Sequence, residues 1–149
     1  MPSASTVFVD TNILVYSDDG RDPQKREVAR LWLGHLWQQR TGRVSTQVLN
    51  EYYSVVTRKL RPAMERGDAR AEVRRYQMWN PWAIDHQTVE SAWSIEARYG
   101  LAWWDTLILA SAAHAGCRFL LSEDLQHGME VDRILVINPF KSDLSALME

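Results

Sequence analysis

Apolar side chains recur along this chain in two periods, and the alternation between them outlines the fold. Val7, Phe8 and Val9 stand together, entered from polar residues and ended by Asp10, the pattern of a short strand buried on both faces. A polar loop, "SDDGRDP", follows at residues 17–23. Asp22 and Pro23 mark a helix start, as N-cap and first helical residue, and Val28, Leu31, Trp32 and Leu36 continue at helical spacing. Residues 43–45 suit a second short strand. Thr46 can cap a helix that carries Val48, Leu49, Tyr52, Val55 and Val56. Residues 58–75 are charged and read as helical after Pro62. Asp85 or Thr88 can cap the next helix, which ends at Gly100. Residues 104–115 form a nearly all-apolar helix closed by Gly116, and residues 119–121 and 134–137 read as strands. Strands alternate with helices at both ends while helices dominate the middle. The expectation is an α/β fold with a small central parallel sheet flanked by helices. No repeat, low-complexity segment or linker divides the chain, so residues 1–149 are expected to form one domain.

Composition narrows the class without naming a function. Hydrophobic residues make up 46% and charged residues 24%, a globular balance that argues against disorder. The net charge of −2 excludes a uniformly basic nucleic-acid binder, so a polyanionic partner would need a local patch or a metal ion. The lone cysteine, Cys117, cannot form an internal disulfide; it suits a buried apolar position and a reducing compartment. The leading "MPSAST" has neither the positive charge nor the apolar core of a secretory signal. The longest apolar stretch, residues 101–121, is interrupted by Asp105, His114 and Arg118, which a membrane span would tolerate poorly. A soluble, cytoplasmic protein without membrane contact is expected.

Four acids stand where acids are costly. Asp10 ends the first strand, and Asp124 follows the strand "FLLS"; ligands of open α/β sheets bind at such carboxyl ends. Glu51 flanks the apolar stripe of its helix, and Asp105 shares a helix face with Ile108, Leu109 and Ala112. Each has an ordinary alternative: an Asx turn or cap for Asp10, a helix cap for Asp105, a solvated acid for Glu51 and Asp124. Taken together, the four suit convergence. Converging carboxylates repel, and a shared proton, basic groups or a metal must offset this. His35, His86, His114 and His127 show no ligand spacing and suit structural or surface positions. An all-oxygen set selects hard cations, Mg²⁺ or Mn²⁺, over zinc.

The blocks "VFVDTNILVY", "STQVLNEYYSVVTRK", "LAWWDTLILASAAHAGCRFLLSEDLQHG" and "ILVINPF", in that order and spacing, resemble those of PIN-domain proteins, most nearly the VapC-type toxins of bacterial toxin–antitoxin pairs. The resemblance spans residues 7–140. It implies a PIN fold and a Mg²⁺- or Mn²⁺-dependent endoribonuclease whose acidic quartet falls on Asp10, Glu51, Asp105 and Asp124. The family's small polar residue two after the first acid falls on Asn12, which would orient Asp10. Its Thr-x-Asp pattern is met by Ser122-Glu123-Asp124, with serine keeping the hydroxyl; either Glu123 or Asp124 could face the metal, and register favours Asp124. The resemblance further implies a homodimer, an RNA substrate and a small antitoxin that can place a basic residue in the acidic site.

Positive charge for RNA is expected from Arg58, Lys59, Arg61, Arg66, Arg70, Arg74 and Arg75, either as a phosphate-tracking rim or as a solvated helical face. Among the seven tryptophans, Trp32 and Trp93 fall at core spacings, and Trp79 and Trp82 suit an interface. Trp103 and Trp104 precede Asp105; core packing is favoured for both, with base stacking the alternative. A PIN nuclease of RNA processing and a non-cutting PIN-like binding module are the competing readings. A phosphatase with Asp-x-Asp is disfavoured by Asn12, and a receiver domain by the lack of an earlier acidic pair.

Overall fold

Five strands and six helices build the molecule in the computed structural model, which describes residues 5–148. Most of the leading segment that lacks the marks of a secretion signal, residues 1–4, lies outside the described residues. The strands are β1 (Val7–Val9), β2 (Gly42–Arg43), β3 (Phe119–Leu121), β4 (Glu130–Val131) and β5 (Ile134–Ile137). They lie in the order β2-β1-β3-β5-β4. All neighbours are parallel except β4 and β5, which form an antiparallel edge hairpin that the sequence pattern did not announce. Phe8, Val9, Leu120, Leu121 and Val136 have no accessible surface, as expected for central strands covered on both faces.

The helices are α1 (Thr11–Tyr16), α2 (Pro23–Gln39), α3 (Thr46–Arg58), α4 (Arg66–Tyr76), α5 (His86–Tyr99) and α6 (Trp103–His114). Their starts follow local chemistry. Asp22 caps α2 by accepting from the Lys25 amide, with Pro23 at the first helical position. Asp85, not Thr88, caps α5; Thr88 is instead buried, and its hydroxyl donates to Asp85. Ser45, one residue before the expected Thr46, caps α3, because its side chain reaches the Val48 amide while Thr46 stays exposed. α6 begins at Trp103 and has no side-chain cap. The stretch 58–75 is not one helix: α3 ends at Arg58, and α4 starts only at Arg66.

Three sequence expectations about packing are corrected. Leu31 is 61% exposed and Trp93 52%, since each falls on the solvent side of a helix whose opposite stripe already fills the core. Trp79 is not a surface anchor; it is buried against Trp37 and Tyr76, with ring centroids 4.7 and 4.9 Å away. The second strand occupies residues 42–43 rather than 43–45, because Gly42 pairs with Val7 while the chain then turns into the Ser45 cap. Gly42 is also where Trp79 approaches the sheet. A Cβ there would lie 2.5 Å from the indole, and the neighbour is a buried ring that cannot step aside. Gly42→Ala should therefore destabilise the protein by about 1–3 kcal/mol, measurable by urea unfolding, although alanine is the smallest possible addition.

Candidate active site

The carboxyl ends of β1 and β3 lie side by side, Val9 level with Leu121, so the residues that follow each strand meet. Asp10 follows β1 and is almost wholly buried. It caps α1, a six-residue helix too short to show a helical period in the sequence, by accepting from the Thr11 amide at 2.7 Å. Its second oxygen accepts from Ser122 Oγ at 2.8 Å and from Asn12 Nδ2 at 3.4 Å. Burial nonetheless dominates. It pushes the Asp10 carboxyl up to about 6, against the pull of the Ser122 and Thr11 hydrogen bonds, and Asp124 and Asp105 push it further the same way.

Glu51 projects from α3 and is held from two sides. Thr11 Oγ1 donates to Oε2 at 3.0 Å, and Gln47 Nε2, one turn earlier on the same helix, donates to Oε1 at 2.9 Å. Asp105 sits in the first turn of α6, where the helix N-terminus favours a negative charge. Desolvation, then Asp124, then Glu51 raise its carboxyl above the ordinary range. Asp124 accepts from Asn12 Nδ2 at 3.0 Å, and its own amide donates to Ser122 Oγ at 3.2 Å. Asn12 thus ties the end of β1 to the loop after β3, and the Glu123 amide completes the link by donating to its Oδ1 at 3.4 Å.

Glu123 is engaged elsewhere. Tyr16 OH donates to it at 2.6 Å, and Lys25 forms an ion pair with it while lying over the Tyr16 and Phe140 rings. Its charge is matched, whereas among the described residues the Asp124 carboxylate has only the Asn12 amide as donor. Thr11, Gln47, Tyr16 and Lys25 were not singled out from sequence. Gln47 was legible in principle, four residues before Glu51 on a helix, while Tyr16 and Lys25 reach Glu123 only through the tertiary fold.

Asp10, Glu51, Asp105, Glu123 and Asp124 all line one open cavity of about 530 Å³, and among the described residues no lysine, arginine or histidine is in its wall. None of the expected basic rim lines it. Arg70 and Arg74 instead line a separate groove between α3 and α4, beside Tyr53 and Asn50, and Arg75 stacks on Trp37 and Tyr76 next to Glu72. The histidines have structural tasks where bonded: His114 Nε2 meets Ser91 Oγ, and His127 Nδ1 accepts from the Asn138 amide. Cys117 is buried and its thiol is pushed up to about 11 by desolvation, the state of an inert packing residue. Trp103 packs partly against the core, but Trp104 is 62% exposed at the cavity mouth, contrary to the core position its sequence context favours.

The chemistry of this wall fits a hard cation. Its ligating atoms are all oxygens, their charges repel one another, and Gln47 Oε1, on a lining residue, is buried without a hydrogen-bond donor. The carboxylates share the cavity but stand apart within it: among the described residues, no three His, Cys, Asp or Glu side chains are close enough to hold one ion between them.

A family model for the PIN domain matches residues 7–128, and the chain belongs to the PIN-domain family. Its mainly parallel, helix-flanked sheet is consistent with that fold. Mycobacterium tuberculosis VapC20, a sarcin-ricin loop cleaving toxin, superposes with a TM-score of 0.61 at 20% identity, covering 80% of this chain and 92% of its own. A toxin–antitoxin complex from Klebsiella pneumoniae gives a TM-score of 0.67 at 20% identity, with 91% and 98% covered. VapBC2 of Rickettsia felis, bound to a DNA fragment from its promoter, gives 0.57 at 12% identity, with 88% and 96% covered. No curated protein sequence matches the chain. Among the described residues no helix is long and apolar enough to cross a membrane.

Proposed function

We propose that this single PIN domain is a Mg²⁺- or Mn²⁺-dependent endoribonuclease and the toxin of a toxin–antitoxin pair. The observation that carries the nuclease reading is the convergence of Asp10, Glu51, Asp105 and Asp124, from four separate segments, on one cavity without a cation in its wall. The solved relatives named as toxins favour the toxin over a nuclease of RNA processing. A homodimer, a cytoplasmic location and a small antitoxin partner belong to the same proposal. An antitoxin arginine entering the cavity would satisfy these carboxylates in place of the metal.

Asp10, Glu51, Asp105 and Asp124 would hold one or two ions, some of them through water because among the described residues no three stand close enough to share one, and the metal would supply the positive charge that activates water and neutralises phosphoryl oxygens. The protein's own part is orientation. Ser122 and the Thr11 amide fix Asp10, Thr11 and Gln47 fix Glu51, and Asn12 fixes Asp124. Water attacks phosphorus in line, the bond to the leaving sugar oxygen breaks, and that oxygen takes up a proton. No covalent enzyme intermediate is required.

The test is cleavage of a mixed single-stranded RNA pool by purified, antitoxin-free protein with Mg²⁺, with Mn²⁺ and with EDTA. Cutting in either metal and none in EDTA is expected; equal cutting in EDTA overturns the metal role, and no cutting by folded protein overturns the nuclease. The choice between adjacent acids is tested in the same assay. Asp124→Asn should lower the rate by about a hundredfold, and Glu123→Gln by only a few-fold, because Glu123 is already paired with Lys25. The reverse order would exchange their roles.

A further inference from the structure

Trp104 is the one large apolar side chain that is both strongly exposed and part of the acidic cavity's wall, among the described residues. Its neighbour in sequence, Asp105, is one of the four converging acids. The other exposed indole, Trp93, lies on α5 and takes no part in that wall. Among the described residues Trp104 packs on no aromatic ring and lies under no cation, whereas Trp37, Trp79 and Trp82 all have an aromatic partner. Its backbone lies in the first turn of α6, a helix anchored by the buried residues from Thr106 to Ala112. Val15, Val55 and Ile108 add apolar surface to the same wall. The cavity thus offers oxygen ligands and a flat, unoccupied π-face within one wall. A phosphodiester alone uses only the first of these.

We propose that Trp104 is the stacking platform for a nucleobase next to the scissile phosphate, so that the substrate must present an unstacked base there. Building on the nuclease reading above, this makes Trp104 the residue of this chain that demands an unstacked base at the cleaved site. A base inside a helix has both faces covered by its neighbours, and only an extruded or unpaired base has a face free for the indole. Stacking is tolerant of base identity, so Trp104 sets the structure of the cleaved site more than its sequence. It acts as a positioning residue: it holds the nucleotide and leaves the acids' chemistry unchanged.

The experiment uses the full chain carrying Asp10→Asn, in Mg²⁺, so that bound RNA is not cut. Single-stranded RNA oligonucleotides with one 2-aminopurine, moved position by position, report stacking through quenched fluorescence. Quenching at one position is expected, together with an affinity about tenfold lower for Trp104→Ala and largely restored by Trp104→Phe. In otherwise native protein, Trp104→Ala should raise KM and change kcat little, with an unaltered melting temperature because the side chain is exposed. A duplex of the same sequence should compete weakly. If wild-type protein cuts RNA but Trp104→Ala binds and quenches as before, the stacking proposal fails and the nuclease reading stands. If the wild type neither binds nor cuts RNA, both fail.

Discussion

Asp10→Asn should abolish RNA cleavage and, in chelator at neutral pH, make the protein more stable. The loss of activity, about a thousandfold or more, follows from removing the most deeply buried of the converging charges, on which the proposed hold on a cation would depend. The gain in stability follows from the same burial. A carboxyl pushed up to about 6 from an ordinary 3.8 is less favourable when ionised in the folded state than in the unfolded one. Fully ionised, it costs the metal-free fold about 3 kcal/mol. Asparagine can keep the cap on α1 by accepting from the Thr11 amide with its one oxygen, while its NH2 group faces the Ser122 hydroxyl, which can accept, and it carries no charge. Its melting temperature in EDTA at pH 7 should exceed that of the wild type by several degrees. A melting temperature below the wild type would show that Asp10 is primarily structural.

The sign of the pH dependence separates this from a general effect. Below the ordinary value Asp10 is protonated in both states and costs nothing. Between 3.8 and about 6 the folded protein holds the proton that the unfolded chain has released, so stability falls as pH rises through this window. Above about 6 the cost is constant. Asp105 and Asp18 are raised by burial as well and contribute in the same direction, while the exposed, lowered Asp132 and Asp143 act oppositely. The difference between wild type and Asp10→Asn is dominated by Asp10, with a smaller share from the Asp124 and Asp105 charges it repels. It should open between pH 4 and about 6 and stay level above, as followed by thermal melts in EDTA.

The second large effect is that of the ion itself. Mg²⁺ or Mn²⁺ at a hundred times its dissociation constant should stabilise the wild type by about 2.7 kcal/mol, if only the folded state gathers the four acids. For a chain of this size that corresponds to a rise of roughly 5–10 °C in melting temperature. Asp10→Asn should lose most of that rise, and Glu51→Gln and Asp105→Asn a large part. Glu123→Gln should keep it, since Lys25 and Tyr16 already occupy that carboxylate. Calorimetric titration with Mn²⁺ checks the stoichiometry directly. The same melting shift in Asp10→Asn would place ion binding elsewhere on the protein.

The sequence by itself determined the elements that rest on local physics. Three β-branched or aliphatic runs bounded by polar residues could only be covered strands, and Asp22-Pro23, Asp85 and Gly100 start or stop helices through bonds to residues at most four away. It also marked Asp10, Glu51, Asp105 and Asp124, because an acid beside a core stripe or at a strand end has few ordinary reasons to be there. What only the tertiary structure decided is which of these groups are free. Ser122, Asn12, Thr11 and Lys25 reach their partners across 40 to 112 residues of chain, and hydrogen bonds of that reach follow no period. Helical spacing likewise cannot tell which stripe faces the core when tryptophan and leucine lie on both sides. Trp32 went inside with Leu36, whereas Leu31, Trp93 and Trp104 went outside. The basic stretch after Arg58 promised a rim to the site, but the break between α3 and α4 carried Arg70 and Arg74 to another groove. Local propensity acts within a turn or two, while burial and charge pairing are settled only when distant segments pack.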